Sequence, residues 1–372
     1  MTPSKMKGTA PKKTAKDAKK TAKKSKAAKS RRAATTGTLN APVSRKKTAP
    51  AGKTSVARRK TAPRRRSNTP NRKDFLRIND FSLQELRAIL DLARKQKPLA
   101  RRHALPLSLP GRQLACVFAK PSLRTRVSFE LAIRQLGGNS LFITDKEIGL
   151  GTRESVKDVA KVLSRYVDGI MIRWFDQSEV DELAAHATVP VINGLTDLLH
   201  PCQVMADIMT VEEHLGTIDG KKVVMVGDGN NLANSWMNAA SVFPFQFTLA
   251  CPPGYEPPAE VRARAEQAGA QIAITHDPTA GVQGAHVIYS DAFYSMGQEA
   301  EAQKRRRDFA PFRLTADLLS GADPGHIVLH CLPAHRGEEI TDEVMDGPHS
   351  VVYDEAENRL HAQRAILATF LK

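Results

Sequence analysis

The chain has 372 residues, a net charge of +17, 41% hydrophobic residues and four cysteines. It holds neither a run of about 18 apolar residues nor a secretory apolar segment, and its cysteines are too few and scattered for a disulfide framework. A membrane span and a disulfide-stapled fold are thereby excluded, and the expectation is a soluble, cytoplasmic protein.

The charge is unevenly placed. Residues 1–72 hold 24 Lys or Arg against one Asp, so the other 300 residues carry a net charge of −6. This segment has no Ile, Phe, Tyr or Trp, and only Leu39, Val43 and Val56 as branched aliphatics. Such a composition cannot offset its own ordering entropy, so residues 1–72 are predicted to be a disordered basic tail. Loose K-T-A-K and K-T-A-P repeats suit non-specific contact with polyanions. A role in solubility or localisation stands beside that reading. So does a transit peptide, although no apolar helical face supports it.

The 79–97 stretch is amphipathic, with Ser82 as its cap and Leu83, Leu86, Ile89, Leu90 and Leu92 on one side, and it predicts a helix. Apolar runs at 114–119, 141–144, 169–173 and 190–193 then alternate with helical stretches near 126–136, 155–167 and 178–186. A long helix from His200 or Pro201 to Leu215 leads into a second series. There, strand-like runs at 222–227, 246–251, 271–275, 286–290 and 326–331 alternate with helices near 232–242, 259–268, 298–307 and 314–320. This pattern predicts an α/β protein with two domains, each a mainly parallel sheet flanked by helices. The expected bounds are 73–205 and 206–356, with a last helix over 358–370 crossing back to join the first domain.

In such sheets, ligands bind outside the carboxyl ends of the strands. The polar motifs fall there. The segment P-S-L-R-T-R-V-S-F-E at 121–130 follows a strand-like run and opens a helix whose apolar residues include Val127, Leu131 and Ile133 to Leu136. Ser122 thus sits at a helix start beside Arg124, Thr125 and Arg126, where free N–H groups and the helix dipole favour a phosphate. The plainer alternative is an N-cap serine followed by solvated arginines. His200 has a similar double reading, since it can simply cap the helix that Pro201 begins.

Other residues admit ordinary readings as well. Asn231 and Asp291 suit loops, and Cys331 suits a small buried side chain. His200 with Cys202, or His330 with Cys331 and His335, lacks the paired spacing of a zinc site, so no metal is expected. Gly227-Asp-Gly229 lacks the third glycine and the ribose-binding acid of a dinucleotide fingerprint, so no nicotinamide cofactor is expected either.

Taken together, S-L-R-T-R at 122–126, H-P-C-Q at 200–203, G-D-G-N-N at 227–231, D-A-F-Y-S-M-G-Q-E at 291–299, H-C-L-P-A-H-R-G-E-E at 330–339 and E-N-R at 357–359 resemble the ornithine carbamoyltransferase family. The resemblance runs from about residue 74 to the end. It implies transfer of the carbamoyl group of carbamoyl phosphate to L-ornithine, giving L-citrulline and phosphate in arginine biosynthesis, by a homotrimer without cofactor. It places carbamoyl phosphate against Ser122, Leu123, Arg124, Thr125, Arg173, His200, Pro201, Cys202, Gln203, Cys331, Leu332 and Arg359. Arg124, His200 and Cys331 take the catalytic roles, and Asn231, Asp291, Ser295 and Met296 bind ornithine.

Two positions depart from the family pattern. Leu123 replaces a usual Thr and leaves only a backbone N–H for phosphate. Gly149 stands where the family has Gln or His reaching into a neighbouring subunit, which leaves Lys146 or Arg153 as substitutes. Two rival functions remain at this point: a carbamoyltransferase acting on another amine, and a nucleic-acid-binding protein working through the basic tail.

Overall fold

Ser82 and Glu85 start the first helix of the folded part by a reciprocal bond. The Glu85 N–H donates to the Ser82 hydroxyl at 3.3 Å, and the Ser82 N–H donates to the Glu85 carboxylate at 2.8 Å. The helix therefore begins at residue 83. The computed structural model describes residues 74–294 and 301–372. The predicted tail, 1–72, lies outside the described residues.

In chain order the first series is α1 (Leu83–Arg101), β1 (Gln113–Phe118), α2 (Leu123–Gln135), β2 (Asn139–Thr144), α3 (Asp145–Ile148), α4 (Val156–Tyr166), β3 (Gly169–Arg173), α5 (Gln177–His186) and β4 (Val191–Leu195). Helix α6 (Pro201–Leu215) follows. The second series is β5 (Lys222–Val226), α7 (Asn231–Ala240), β6 (Gln246–Ala250), α8 (Ala259–Gln267), β7 (Gln271–Thr275), α9 (Pro278–Val282), β8 (Val287–Ser290), α10 (Ala302–Asp308), α11 (Ala316–Leu319), β9 (Ile327–His330) and α12 (Asp342–Met345), closed by α13 (Val352–Phe370).

The strands form two sheets, ordered β2-β1-β3-β4 and β7-β6-β5-β8-β9, and every pairing is parallel. The central strands are apolar and buried almost throughout, as both faces of a parallel sheet require. Strand β2 lies at an edge and leaves Leu141 and Phe142 exposed.

Two helices bind the sheets into one core. Helix α6 is buried from Pro201 to Glu212, and α13 packs against α6, α2 and α1. Helix α13 starts six residues before the predicted one, because Val352 and Glu355 are buried. A buried glutamate is invisible to an apolar pattern, and here hydrogen bonds satisfy it. Helix α2 departs in a second way: it buries Thr125, Ser128, Phe129, Ala132 and Ile133, while Val127 and Leu131 are exposed. Among the described residues no helix is long and apolar enough to cross a membrane.

Candidate active site

Strand order places the site. In the first sheet β2 lies on one side of β1 and β3 on the other, so the chain reverses direction between β1 and β3. In the second sheet the reversal falls between β5 and β8. At such switch points the loops after neighbouring strands part and leave a crevice. The loops concerned are Lys120–Arg126 after β1, Arg173 ending β3, Gly227–Asn231 after β5 and Asp291 after β8. A single cleft of about 1000 Å³ is lined by residues from all four.

The first wall is cationic. Ser122 caps α2, its hydroxyl accepting from the Thr125 N–H at 3.3 Å, and both Ser122 and Arg124 line the cleft. The capping reading of Ser122 is thus correct, and it leaves the other N-terminal amides of α2 available to an anion. Arg173 and Arg359 come from β3 and α13, and Arg359 donates to the Thr125 hydroxyl at 2.7 Å. Among the described residues, Arg124, Arg173 and Arg359 form no ion pair with a carboxylate, and the Nε of Arg173 and of Arg359 has no partner. Burial, then the Arg359 charge, lowers the Arg173 pKa to about 10. Arg173 and Arg359 are buried and Arg124 is half-buried; buried guanidinium groups without an anionic partner are costly, and a bound anion relieves that cost. Arg126 takes no part: it pairs with Glu130 at 3.0 Å and lies 3.9 Å over the Phe142 ring.

His200 holds the N-cap position of α6, but its side chain makes no capping bond. Its buried Nδ1 has no partner, and its backbone N–H donates to Ser235 at 2.7 Å. Burial, followed by Arg359 and Arg173, holds its pKa well below the usual imidazole value, so the ring is neutral. Pro201, Cys202 and Gln203 are buried behind the cleft rather than lining it. The Cys202 thiol donates to the Asn193 carbonyl at 3.3 Å.

The second wall carries Asp291. Its carboxylate accepts from the Cys331 thiol at 3.0 Å and from the Asn230 amide at 2.9 Å. Burial and then Asp291 drive the Cys331 pKa well up, so the sulfur is a neutral thiol and not a nucleophile. Asn231 lines the cleft with its amide donating to the Thr196 carbonyl at 2.6 Å. Leu332 lines it as well, with φ at +58, a conformation a branched residue holds only under constraint. Ser295 and Met296 lie outside the described residues.

Several lining residues escape sequence reasoning. Lys120 pairs with Asp197 and sits 4.8 Å from the Phe175 ring centre, while Asp228 is neutralised by buried Arg305 at 2.9 Å. Asn230 caps α7 with its oxygen while its nitrogen orients Asp291. In G-D-G-N-N only the two adjacent asparagines hint at this, and local sequence does not say which faces Asp291. Gly229 is required by space, since a Cβ there would lie 2.4 Å from the Pro257 nitrogen. Gly149 ends α3 in the left-handed region at φ +58, and Arg153 folds back to donate to the Ile148 carbonyl at 3.3 Å. Among the described residues no group of three or more His, Cys, Asp or Glu is placed to hold a metal ion.

Comparison with known proteins gives the same picture. Residues 73–213 match the aspartate/ornithine carbamoyltransferase carbamoyl-P binding domain, and residues 219–370 match the Asp/Orn binding domain of that family. The ornithine carbamoyltransferase of Pelobacter propionicus is 55% identical over 300 residues, covering 80% of this chain and 98% of its own. That of Syntrophotalea carbinolica is 51% identical over 304 residues, covering 81% and 99%. The solved ornithine carbamoyltransferase of Pyrococcus furiosus superposes with a TM-score of 0.76 at 49% identity, covering 79% of this chain and 96% of its own. With both halves matched in order and the cleft built where the family's two binding domains meet, the chain belongs to the aspartate/ornithine carbamoyltransferase family.

Proposed function

We propose that this protein is an ornithine carbamoyltransferase, moving the carbamoyl group of carbamoyl phosphate onto the side-chain amine of L-ornithine to give L-citrulline and phosphate. Relatives named for this reaction, among them two that are 55% and 51% identical, support ornithine over another amine. The observation that carries the reading is the pairing of walls. Three arginines without an anionic partner face a loop whose Asp291 carboxylate suits an ammonium group.

In this reading Ser122, the Leu123 N–H, Arg124 and Thr125 hold the phosphate. Arg173, His200, Cys331, Leu332 and Arg359 surround the carbamoyl group, Gln203 meets it from the buried layer behind, and Pro201 and Cys202 shape the turn there. Asn231 and Asp291 receive the ornithine backbone end, together with Ser295 and Met296. The ornithine nitrogen attacks the carbamoyl carbon, a C–N bond forms, the C–O bond to phosphate breaks, and the proton shed by the attacking nitrogen leaves on the phosphate. Negative charge grows on the carbonyl oxygen and then on the departing phosphate, and fixed donors stabilise it. Neutral His200 serves as a donor to the carbonyl oxygen. The attacking amine, which titrates near 10 like a lysine, must first lose a proton, and the cationic wall favours that loss. Holding both substrates in contact supplies the rest.

Replacing Arg124 with Ala is expected to lower kcat by about a hundredfold or more, with unfolding behaviour unchanged. A citrulline assay beside thermal unfolding checks this, and near-normal turnover would refute the phosphate role.

We also assign the protein to the cytoplasm and to a homotrimer. Exposed Leu123, Val127 and Leu131 on α2, with Leu141 and Phe142 on edge strand β2, support association through this face.

A further inference from the structure

Behind the cleft lies a buried acidic pair. Asp207 on α6 and Glu355 on α13 are both fully buried. One nitrogen joins them: the Gln203 amide donates to Asp207 at 2.8 Å and to Glu355 at 2.9 Å. Glu355 also accepts from the Tyr289 hydroxyl and from the His330 N–H, each at 2.8 Å. Both Gln203 N–H groups are therefore committed. Its carbonyl oxygen is buried and has no partner, and so is the second oxygen of Asp207. Neither acid forms an ion pair among the described residues.

We propose that Asp207 and Glu355 hold one proton between them, and that the pair are positioning residues locking the Gln203 amide with its carbonyl oxygen free to receive the carbamoyl nitrogen of the substrate. The inference rests on the carbamoyl-transfer reading above. Two carboxylates within reach of one amide nitrogen cannot both keep their charge in a dry interior. The proton belongs on Asp207, where burial and then the Glu355 charge push the pKa well up. Burial also raises Glu355, but the Tyr289 hydroxyl and the His330 N–H oppose that and favour its anion. Arg359 on α13, Cys331 beyond β9, the His330 side chain and the Tyr289 hydroxyl are the other ionisable groups facing the pair. The unpartnered Asp207 oxygen is then the hydroxyl that donates to Glu355. An amide whose two N–H groups are both held by acids cannot flip. Its oxygen, buried and bonded to no group of the protein, is a fixed acceptor for an N–H donor.

An asparagine at 207 can accept from Gln203 and donate to Glu355, reproducing the protonated acid, whereas alanine releases the amide. Difference infrared spectra near neutral pH should contain a protonated-carboxyl band in the wild type that D207N lacks. D207N should keep the KM for carbamoyl phosphate within about threefold and D207A should raise it about tenfold, while the inhibition constant of inorganic phosphate moves less than about threefold in either. Should D207A not fold, E355Q supplies the same contrast, because its amide cannot accept from Gln203, Tyr289 and His330 together. No band lost in D207N, or D207N as impaired as the disruptive variant, overturns the shared proton. Equal weakening of carbamoyl phosphate and inorganic phosphate overturns the positioning role. A wild type that makes no citrulline refutes the carbamoyl-transfer reading instead, and the infrared band still judges the pair.

Discussion

His200 ties stability to pH through its burial beside two arginines. Its native pKa lies well below the 6.5 of an exposed imidazole, so below about pH 6.5 the unfolded chain takes up a proton that the native state refuses. Stability from this residue is complete above that value and is lost as pH falls, by up to about 1.4 kcal/mol per unit. Measured by urea unfolding, the wild type should therefore lose stability relative to H200Q between pH 7.5 and 5.5. A difference that does not change with pH would contradict a buried neutral ring. Single residues were legible in the sequence where chemistry is local: Ser122 at a helix start and His200 before Pro201 need only their neighbours. Arg126 was not, since pairing with Glu130 and stacking on Phe142 carry it away from the cleft. Asn230 was also missed as the partner of Asp291, because 61 residues separate them.

At the scale of the element, α13 does more than close the chain. It delivers Arg359 to the cleft and Glu355 to the buried pair, and it fills the space against α1, α2 and α6. Ile366 is completely buried in that packing. Its replacement by Ala should cost about 2–5 kcal/mol, through lost burial and the cavity left behind. Denaturant unfolding of I366A checks this, and a loss under about 1 kcal/mol would mean that α13 is not part of the main core. Most elements were readable because apolar periodicity and caps are properties of a few adjacent residues. Where reading failed, polar groups were buried or apolar ones exposed: α13 starts early on a hydrogen-bonded Glu355, and α2 turns Val127 and Leu131 outward. Short helices such as α3, α9 and α12 carry too few residues for a period to register.

For the whole molecule, the apolar face of α2 and β2 sets an expectation for assembly. Leu131→Asp, at an exposed site away from the cleft, should shift the sedimentation of the protein from trimer toward monomer while helical content is retained. A wild type that sediments as a monomer would remove the trimer proposal. The family match begins at residue 73, and every described lining residue lies beyond it. A chain shortened to residues 73–372 should therefore make citrulline at the full-length rate, measured side by side. Any salt-sensitive binding of polyanions should be lost with the segment removed. A truncated chain that is folded but inactive would place part of the function in the first 72 residues.

Sequence by itself determined the alternation of strands and helices, the split in charge at residue 72, and the set of motifs at strand ends, because each depends on neighbours along the chain. Tertiary structure decided the rest. Strand order put the reversals between β1 and β3 and between β5 and β8, and so brought distant loops to one cleft. Burial decided which charges stay unpaired: the same residues would be ordinary solvated arginines on a surface, and suit the proposed anion only where little water reaches them and no carboxylate answers them.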